Sequence, residues 1–272
     1  MHEEKRKIKK SGADIPVLYE DGNIVVFNKP AGIMVHGDGR STEETLADYV
    51  VNKYPKLENV GEPLILNPGK QDEKEVSRPG IVHRLDRGTT GVLVVAKNQK
   101  AYENLKKQFK GRGVKKKYRV IVHGHVKNNT GIIDLPIGRS TGDFRSKATP
   151  DLHMPKTGTR GALREATTRY KVLTRFFIKE GKKNIPLTYV EVLPETGRTH
   201  QIRVHFKSIR HPVFGDGLYG VSVKGKAEEA FGRTALHAVS LSFEHPVTKK
   251  PIKVEAPVPR DLHDFLAQAG LL

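Results

Sequence analysis

Apolar runs along this chain are short. Most either alternate with polar residues or stop at Gly or Pro, which is the pattern of strands separated by turns. Ile24–Phe27 is a β-prone run closed by Pro30 and Gly32, and Val92–Ala96 is a short apolar run with the look of a buried strand. Tyr118–Val122 alternates, so Tyr118 shares a face with Val120 and Val122. Ile132–Ile137, Ala166–Leu173, Leu187–Leu193, Ala235–Phe243 and Ile252–Val254 are further expected strands. Helical spacing is rarer. It appears over Glu43–Lys53, with Thr42 as the expected N-cap, over Ala101–Lys110 and over Asp261–Ala269. Leu66–Gly80 reads as a loop because of Pro68, Gly69 and Pro79. Arg139–Arg164, polar and rich in Gly and Pro, reads as an excursion from the core. Strands outnumber helices, with helices scattered among them. The expected fold class is therefore α+β, with a mixed, mostly antiparallel sheet. No internal repeat is visible.

Composition adds a partner. The 272 residues suffice for one large core. Lys and Arg number 48 against 30 acids, a net charge of +18, and the chain between Glu103 and Asp134 holds no acid. Clustered charge of one sign makes a field that suits a polyanion, and nucleic acid is the commonest one. Aromatic residues are few and there is no Trp, so stacking alone is a poor basis for binding. Cys is absent, which excludes disulfides and thiolate chemistry. No apolar run has the length of a membrane span, and the charged start lacks a signal-peptide core, so a cytoplasmic location is expected. Residues 1–14 are expected to be a basic flexible tail before a domain over 15–272.

Several chemistries lack their motifs. Gly69-Lys70 is followed by Gln71 and has no partner glycine, so it is no phosphate loop. There is no Gly-x-Ser-x-Gly and no His-Glu-x-x-His. His200 and His205 are too far apart in sequence to share a helix face as ligands. No metal and no cofactor are expected.

Three segments remain. In His83-Arg84-Leu85-Asp86-Arg87-Gly88-Thr89-Thr90-Gly91, a carboxylate precedes a buried-looking strand that would hold it rigidly. The flanking arginines are expected to keep Asp86 charged; taken alone, a structural ion pair explains the segment as well. In Lys115-Lys116-Lys117-Tyr118, a strand-mouth Tyr could stack on a base while lysines hold phosphates, or could be an ordinary half-buried sheet residue. In Gly197-Arg198-Thr199-His200-Gln201-Ile202-Arg203, apolar Ile202, Phe206 and Ile209 accompany a basic stripe of Arg203, Lys207 and Arg210. Its pattern also fits a strand.

Together these segments resemble the RluA-type pseudouridine synthases, which act on ribosomal and transfer RNA. His211-Pro212-Val213-Phe214-Gly215-Asp216, Leu236-His237-Ala238, His245-Pro246 and Ala256-Pro257 extend the resemblance, which runs from about Ile15 to Pro259. It implies that Asp86 is the catalytic carboxylate and that Tyr118 lies against the target base and assists proton removal. It also implies that Arg203 pairs with Asp86, that Arg84 holds the place of the flipped-out nucleotide, and that Ile202 lies in a helix. It implies a mixed, mostly antiparallel sheet around a cleft. Thr90 stands where many members have Ser, and Val120 where a small residue is frequent. The small S4-type RNA-binding domain of many relatives is not expected here. The partner is then RNA, ribosomal or transfer, with no obligate protein partner. Lys115, Lys116, Lys117, Arg145, Lys147, Arg160, Arg164 and Arg198 are expected to hold it. Two other readings are a non-catalytic RNA-binding protein of the same fold and a nucleoside glycosidase using Glu195 or Asp216 as a second carboxylate.

Overall fold

In the computed structural model, which describes residues 14–37, 41–69, 71–142, 146–149, 159–221 and 225–271, the apolar runs become strands of one large sheet. The chain opens with β1 (Val17–Glu20) and β2 (Ile24–Lys29), helix α1 (Leu46–Lys53) and a ribbon of β3 (Leu64–Leu66) and β4 (Lys74–Val76). Then come β5 (Thr90–Ala96), helix α2 (Gln99–Lys110), β6 (Lys115–His123) and β7 (Thr130–Asp134). A small sheet of β8 (Ile137–Ser140), β9 (Lys147–Ala148) and β10 (Thr159–Arg164) follows. The main sheet resumes with the hairpin of β11 (Thr167–Glu180) and β12 (Lys183–Pro194). Helices α3 (Gln201–Ser208) and α4 (Lys226–Phe231), strands β13 (Leu236–Glu244) and β14 (Pro251–Glu255) and helix α5 (Arg260–Gln268) complete it.

The main sheet has the order β1-β2-β5-β13-β6-β12-β11-β7, with β14 added to β13. All its pairings are antiparallel except β5 with β13, which touch in parallel over two residue pairs, His237 with Thr90 and Ala238 with Gly91. Gly91 makes this seam possible. Its φ is 114°, and a Cβ there would stand 2.1 Å from the Ala238 carbonyl oxygen.

Alternation sends side chains to both faces, and helices cover both. Ile24, Val26, Val92 and Val94 pack with Ala101 and Leu105 of α2, while Val25, Phe27, Leu93 and Val95 pack with Leu46 and Val50 of α1. In the other half, Val120, Val122, Val190 and Val192 meet Ile202 and Phe206 of α3, and Ile121 and Leu187 meet Leu262 and Leu266 of α5. Each such side chain, fully buried, contributes about 1.5–3 kcal/mol. Among the described residues no helix is long and apolar enough to cross a membrane.

Some expectations shift. Helix α1 is capped by Thr45, not Thr42. Thr45 accepts from the Asp48 amide and Asp48 from the Thr45 amide, so two orphan donors are satisfied at once. The expected loop Leu66–Gly80 contains β4, and the expected strand Ile132–Ile137 divides between two sheets. The Arg139–Arg164 excursion carries a strand at each end instead of being wholly irregular. The tail expected over 1–14 lies outside the described residues except for Asp14, which accepts from Tyr49 and Lys53.

Candidate active site

Asp86 lies in the loop that enters β5. That loop is pinned from below, since Ile81 bridges to Val95 and both Ile81 and Leu85 are buried against the α1 face of the sheet. The Thr89 amide closes a turn onto the Asp86 carbonyl at 3.0 Å. The carboxylate itself stays partly open to a cleft of about 470 Å³.

Its partner comes from α3. Arg203 Nη1 donates to Asp86 Oδ2 at 2.9 Å, while Nε and Nη2 donate to the two oxygens of Asp216 at 2.6 and 2.8 Å. Asp216 is fully buried and also accepts from the Leu218 and Tyr219 amides. Burial alone would raise its pKa, but the Arg203 guanidinium and the two amides hold it below the usual carboxylate range. Burial likewise opposes the charge on Arg203, and the two carboxylates outweigh it, raising its pKa further. Asp86 lines the cleft, and its Oδ1 has no hydrogen-bond partner among the described residues. His200 Nε2 stands 3.8 Å from it, beyond hydrogen-bond length. His200 begins α3 with a left-handed backbone, φ 58°, which is uncommon for a residue with a side chain.

Tyr118, on β6, lines the same cleft. Burial, and secondarily the charge of Asp86, push its hydroxyl pKa well above the usual tyrosine value, so the phenol stays protonated. Beneath the site lies Lys29, fully buried at the end of β2. Its ammonium donates to the Pro30 and Arg87 carbonyls, and burial lowers its pKa to about 7, opposed by Asp86.

The cleft wall is cationic. Arg84, Lys110, Arg112, Lys116 and Arg198 line it along with Arg203, against Asp86 and Glu195. Lys116 donates to the Thr196 carbonyl at 2.8 Å, and burial, then Arg112 and Arg198, bring its pKa to about 8. Arg84 reaches His36, whose Nε2 lies 3.3 Å from Nη1. Arg198 donates to the Glu165 carbonyl at 3.0 Å.

Of the residues expected to hold RNA, Arg84, Lys116 and Arg198 therefore converge on the cleft. Lys115 and Arg164 are exposed away from its lining, and Lys117 is paired with Glu191 at 3.2 Å. Lys147 presents its backbone amide to the Tyr219 hydroxyl. Arg145 and the Arg160 side chain lie outside the described residues.

Three readings of the sequence change. The arginines flanking Asp86 take other partners, Arg84 with His36 and Arg87 with Gly32 and Glu43. Arg203 belongs to no solvated stripe, being 8% exposed. Of the two proposed second carboxylates, Asp216 is buried with both oxygens on Arg203, and Glu195, at the cleft wall, is paired with Arg169. Sequence reasoning also passes over Lys29 and Tyr219, and gives His200 no role beyond its place in the third segment. A lysine ending an apolar strand run was the one available signal for Lys29. Among the described residues no three His, Asp or Glu side chains gather to hold a metal ion.

Residues 23–208 match the family model described as RNA pseudouridylate synthase. The chain is 37% identical over 253 residues to the uncharacterized RNA pseudouridine synthase YlyB of Bacillus subtilis, covering 93% of this chain and 72% of that one. It is 36% identical over 256 residues to the ribosomal large subunit pseudouridine synthase D of Zymomonas mobilis, covering 92% and 71%. The solved structure of human RNA pseudouridylate synthase domain containing 1 superposes with a TM-score of 0.66 at 25% identity, over 92% of this chain and 87% of that one.

Proposed function

The chain belongs to the RluA-type RNA pseudouridylate synthase family and isomerises uridine to pseudouridine in RNA; from that premise we propose that its substrate is ribosomal RNA and that Asp86 is the working carboxylate. The observation that carries the site is Asp86 itself, held at Oδ2 by Arg203 in the wall of a cationic cleft, with Oδ1 free of hydrogen bonds among the described residues. The ribosomal substrate is supported by relatives named ribosomal large subunit pseudouridine synthase D from three bacteria, at 36% identity.

The reaction breaks the bond between N1 and the sugar, turns the base and joins C5 to the same sugar carbon. The C5 proton departs and N1 gains one. Electrons and groups balance within the nucleotide, so no cofactor is required. The base leaves its stack to be reached. Arg84 holds the vacated place, while Lys116 and Arg198 hold phosphates at the cleft. Asp86 acts through Oδ1, as nucleophile or as charge stabiliser of the separating sugar and base. Tyr118 lies against the base; in place of the expected help with proton removal we assign it a contact and hydrogen-bond donor role, because burial keeps its phenol protonated. Residues 15–272 act as one catalytic unit, in the cytoplasm and without an obligate protein partner.

The test is to map pseudouridine across RNA from cells with the protein, without it, and with Asp86→Asn in its place. Loss at one or a few ribosomal uridines in both deficient lines is expected. Loss confined to transfer RNA would overturn the ribosomal reading. Unchanged modification with Asp86→Asn would overturn the site.

A further inference from the structure

Tyr219 joins the small sheet to the carboxylate. The Lys147 amide, on β9, donates to the Tyr219 hydroxyl oxygen at 2.7 Å, and that oxygen lies 2.9 Å from His200 Nδ1. The Tyr219 ring also sits under Arg203, with 4.9 Å from the guanidinium carbon to the ring centre. We propose that Tyr219 is a positioning residue for the isomerisation, holding His200 as the neutral tautomer that carries its proton on Nε2, the ring nitrogen nearer Asp86 Oδ1.

The hydrogen-bond inventory carries this. An amide can only donate, so the phenol oxygen accepts from Lys147. Its own proton then has His200 Nδ1 as the acceptor, which leaves the ring proton on Nε2, 3.8 Å from Asp86 Oδ1. The opposite tautomer would leave the phenol proton without this acceptor and turn a lone pair toward the carboxylate. Burial lowers the His200 pKa, keeping the ring neutral. Asp86 is thus bounded by Arg203 at one oxygen, with the protonated Nε2 of His200 3.8 Å from the other. Because the phenol is fixed by β9, the placement of that N–H depends on the small sheet.

The inference rests on Asp86 being the working carboxylate. The first measurement needs no activity. In histidine 15N-labelled protein at pH 7, with His200→Gln giving the assignment, Nδ1 should show the shift of a bare acceptor and Nε2 that of a protonated nitrogen. The reverse pattern overturns the proposal. The second is Tyr219→Phe, which keeps the ring under Arg203. It should lower kcat about tenfold with little change in KM. It should also move the acid limb of kcat to higher pH, because the neutral imidazole loses a bond that favoured it. The groups facing His200 are Asp86 and Arg84 from the catalytic loop, Arg203 from α3, and Asp216 and Tyr219 from the turn beyond it. A folded Tyr219→Phe with unchanged kcat and pH profile overturns the proposal; if it does not fold, the wild-type tautomer decides. A fully active Asp86→Asn would instead remove the reading of the site and leave the tautomer result standing.

Discussion

Asp216 grips Arg203 with both carboxylate oxygens, 2.6 Å from Nε and 2.8 Å from Nη2, and so leaves only Nη1 to meet Asp86. A guanidinium is a planar fork, so fixing two of its nitrogens fixes the direction of the third. The placement of Asp86 Oδ2 is thereby set from a residue that never touches the cleft.

Replacing Asp86 with Asn should abolish turnover while leaving the fold intact, because Arg203 keeps Asp216. A loss of at least about a thousandfold, about 4 kcal/mol of barrier, is expected. RNA affinity should change by less than about threefold, since many cations supply it. Single-turnover assays and filter binding on the same preparation check both.

Asp216→Asn should destabilise the protein by about 3 kcal/mol, as expected when a buried pair loses a partner. The pH dependence has a definite sign. The folded pKa of Asp216 is depressed, so its stabilisation is present above the unfolded value of about 3.9 and is lost as pH falls through the folded value. Urea midpoints between pH 3 and 7 should therefore fall less steeply with acid in the variant than in the wild type.

Lys116 should make RNA binding sensitive to alkali. Its pKa in the free protein is about 8, so it is charged below that pH and neutral above it. A phosphate binds the charged form, and affinity should fall above pH 8 by up to about tenfold per unit. Lys116→Arg, which stays charged, should flatten the fall. Titrations of a short RNA from pH 6.5 to 9.5 read this out; an equal slope in both proteins would exclude Lys116 as a phosphate ligand.

Turnover of a short unstructured RNA should survive a chelator and need no nucleotide, because the isomerisation balances within the substrate. Loss of activity in EDTA, restored by one metal ion, would contradict that.

Changing Arg145, Lys147, Arg160 and Arg164 together to Ala tests whether the Arg139–Arg164 excursion, with the Lys106–Lys117 cluster, clamps RNA. Affinity should weaken, and the slope of log K against log salt should shrink by about 0.7 for each phosphate that is no longer neutralised. Turnover at saturating RNA should change less. A wild-type slope would assign the grip to the cleft cations alone.

Much of this was legible before the structure. Val92–Ala96 and Tyr118–Val122 gave the central strands because their apolar periods are local facts. Asp86, Tyr118 and Arg203 were named from motifs, and they do share one cleft. Charge was harder to read. Arg84 and Arg87 are adjacent to Asp86 in sequence, but their side chains leave for His36, Gly32 and Glu43. Arg203 repeats with Lys207 at helical spacing and so reads as part of a basic stripe, and only the resemblance ties it to Asp86. Asp216, the second carboxylate that meets it, is visible only in the fold. Thr42 and Thr45 are equally good cap residues by type, and the reciprocal bond with Asp48 separates them.

The seam between β5 and β13 holds for two residue pairs and then stops, with β14 taking the place beside β13 from Ser240 onward. Leu236, Thr89 and Tyr118 stand where that ladder begins, and all three line the cleft. That short parallel ladder ties the loop carrying Asp86, which runs into β5, to the strand end carrying Leu236, so two separate stretches of chain that begin side by side share the floor of the cleft. Gly91 is what lets them lie so close, and a side chain there would push the catalytic loop off its neighbour.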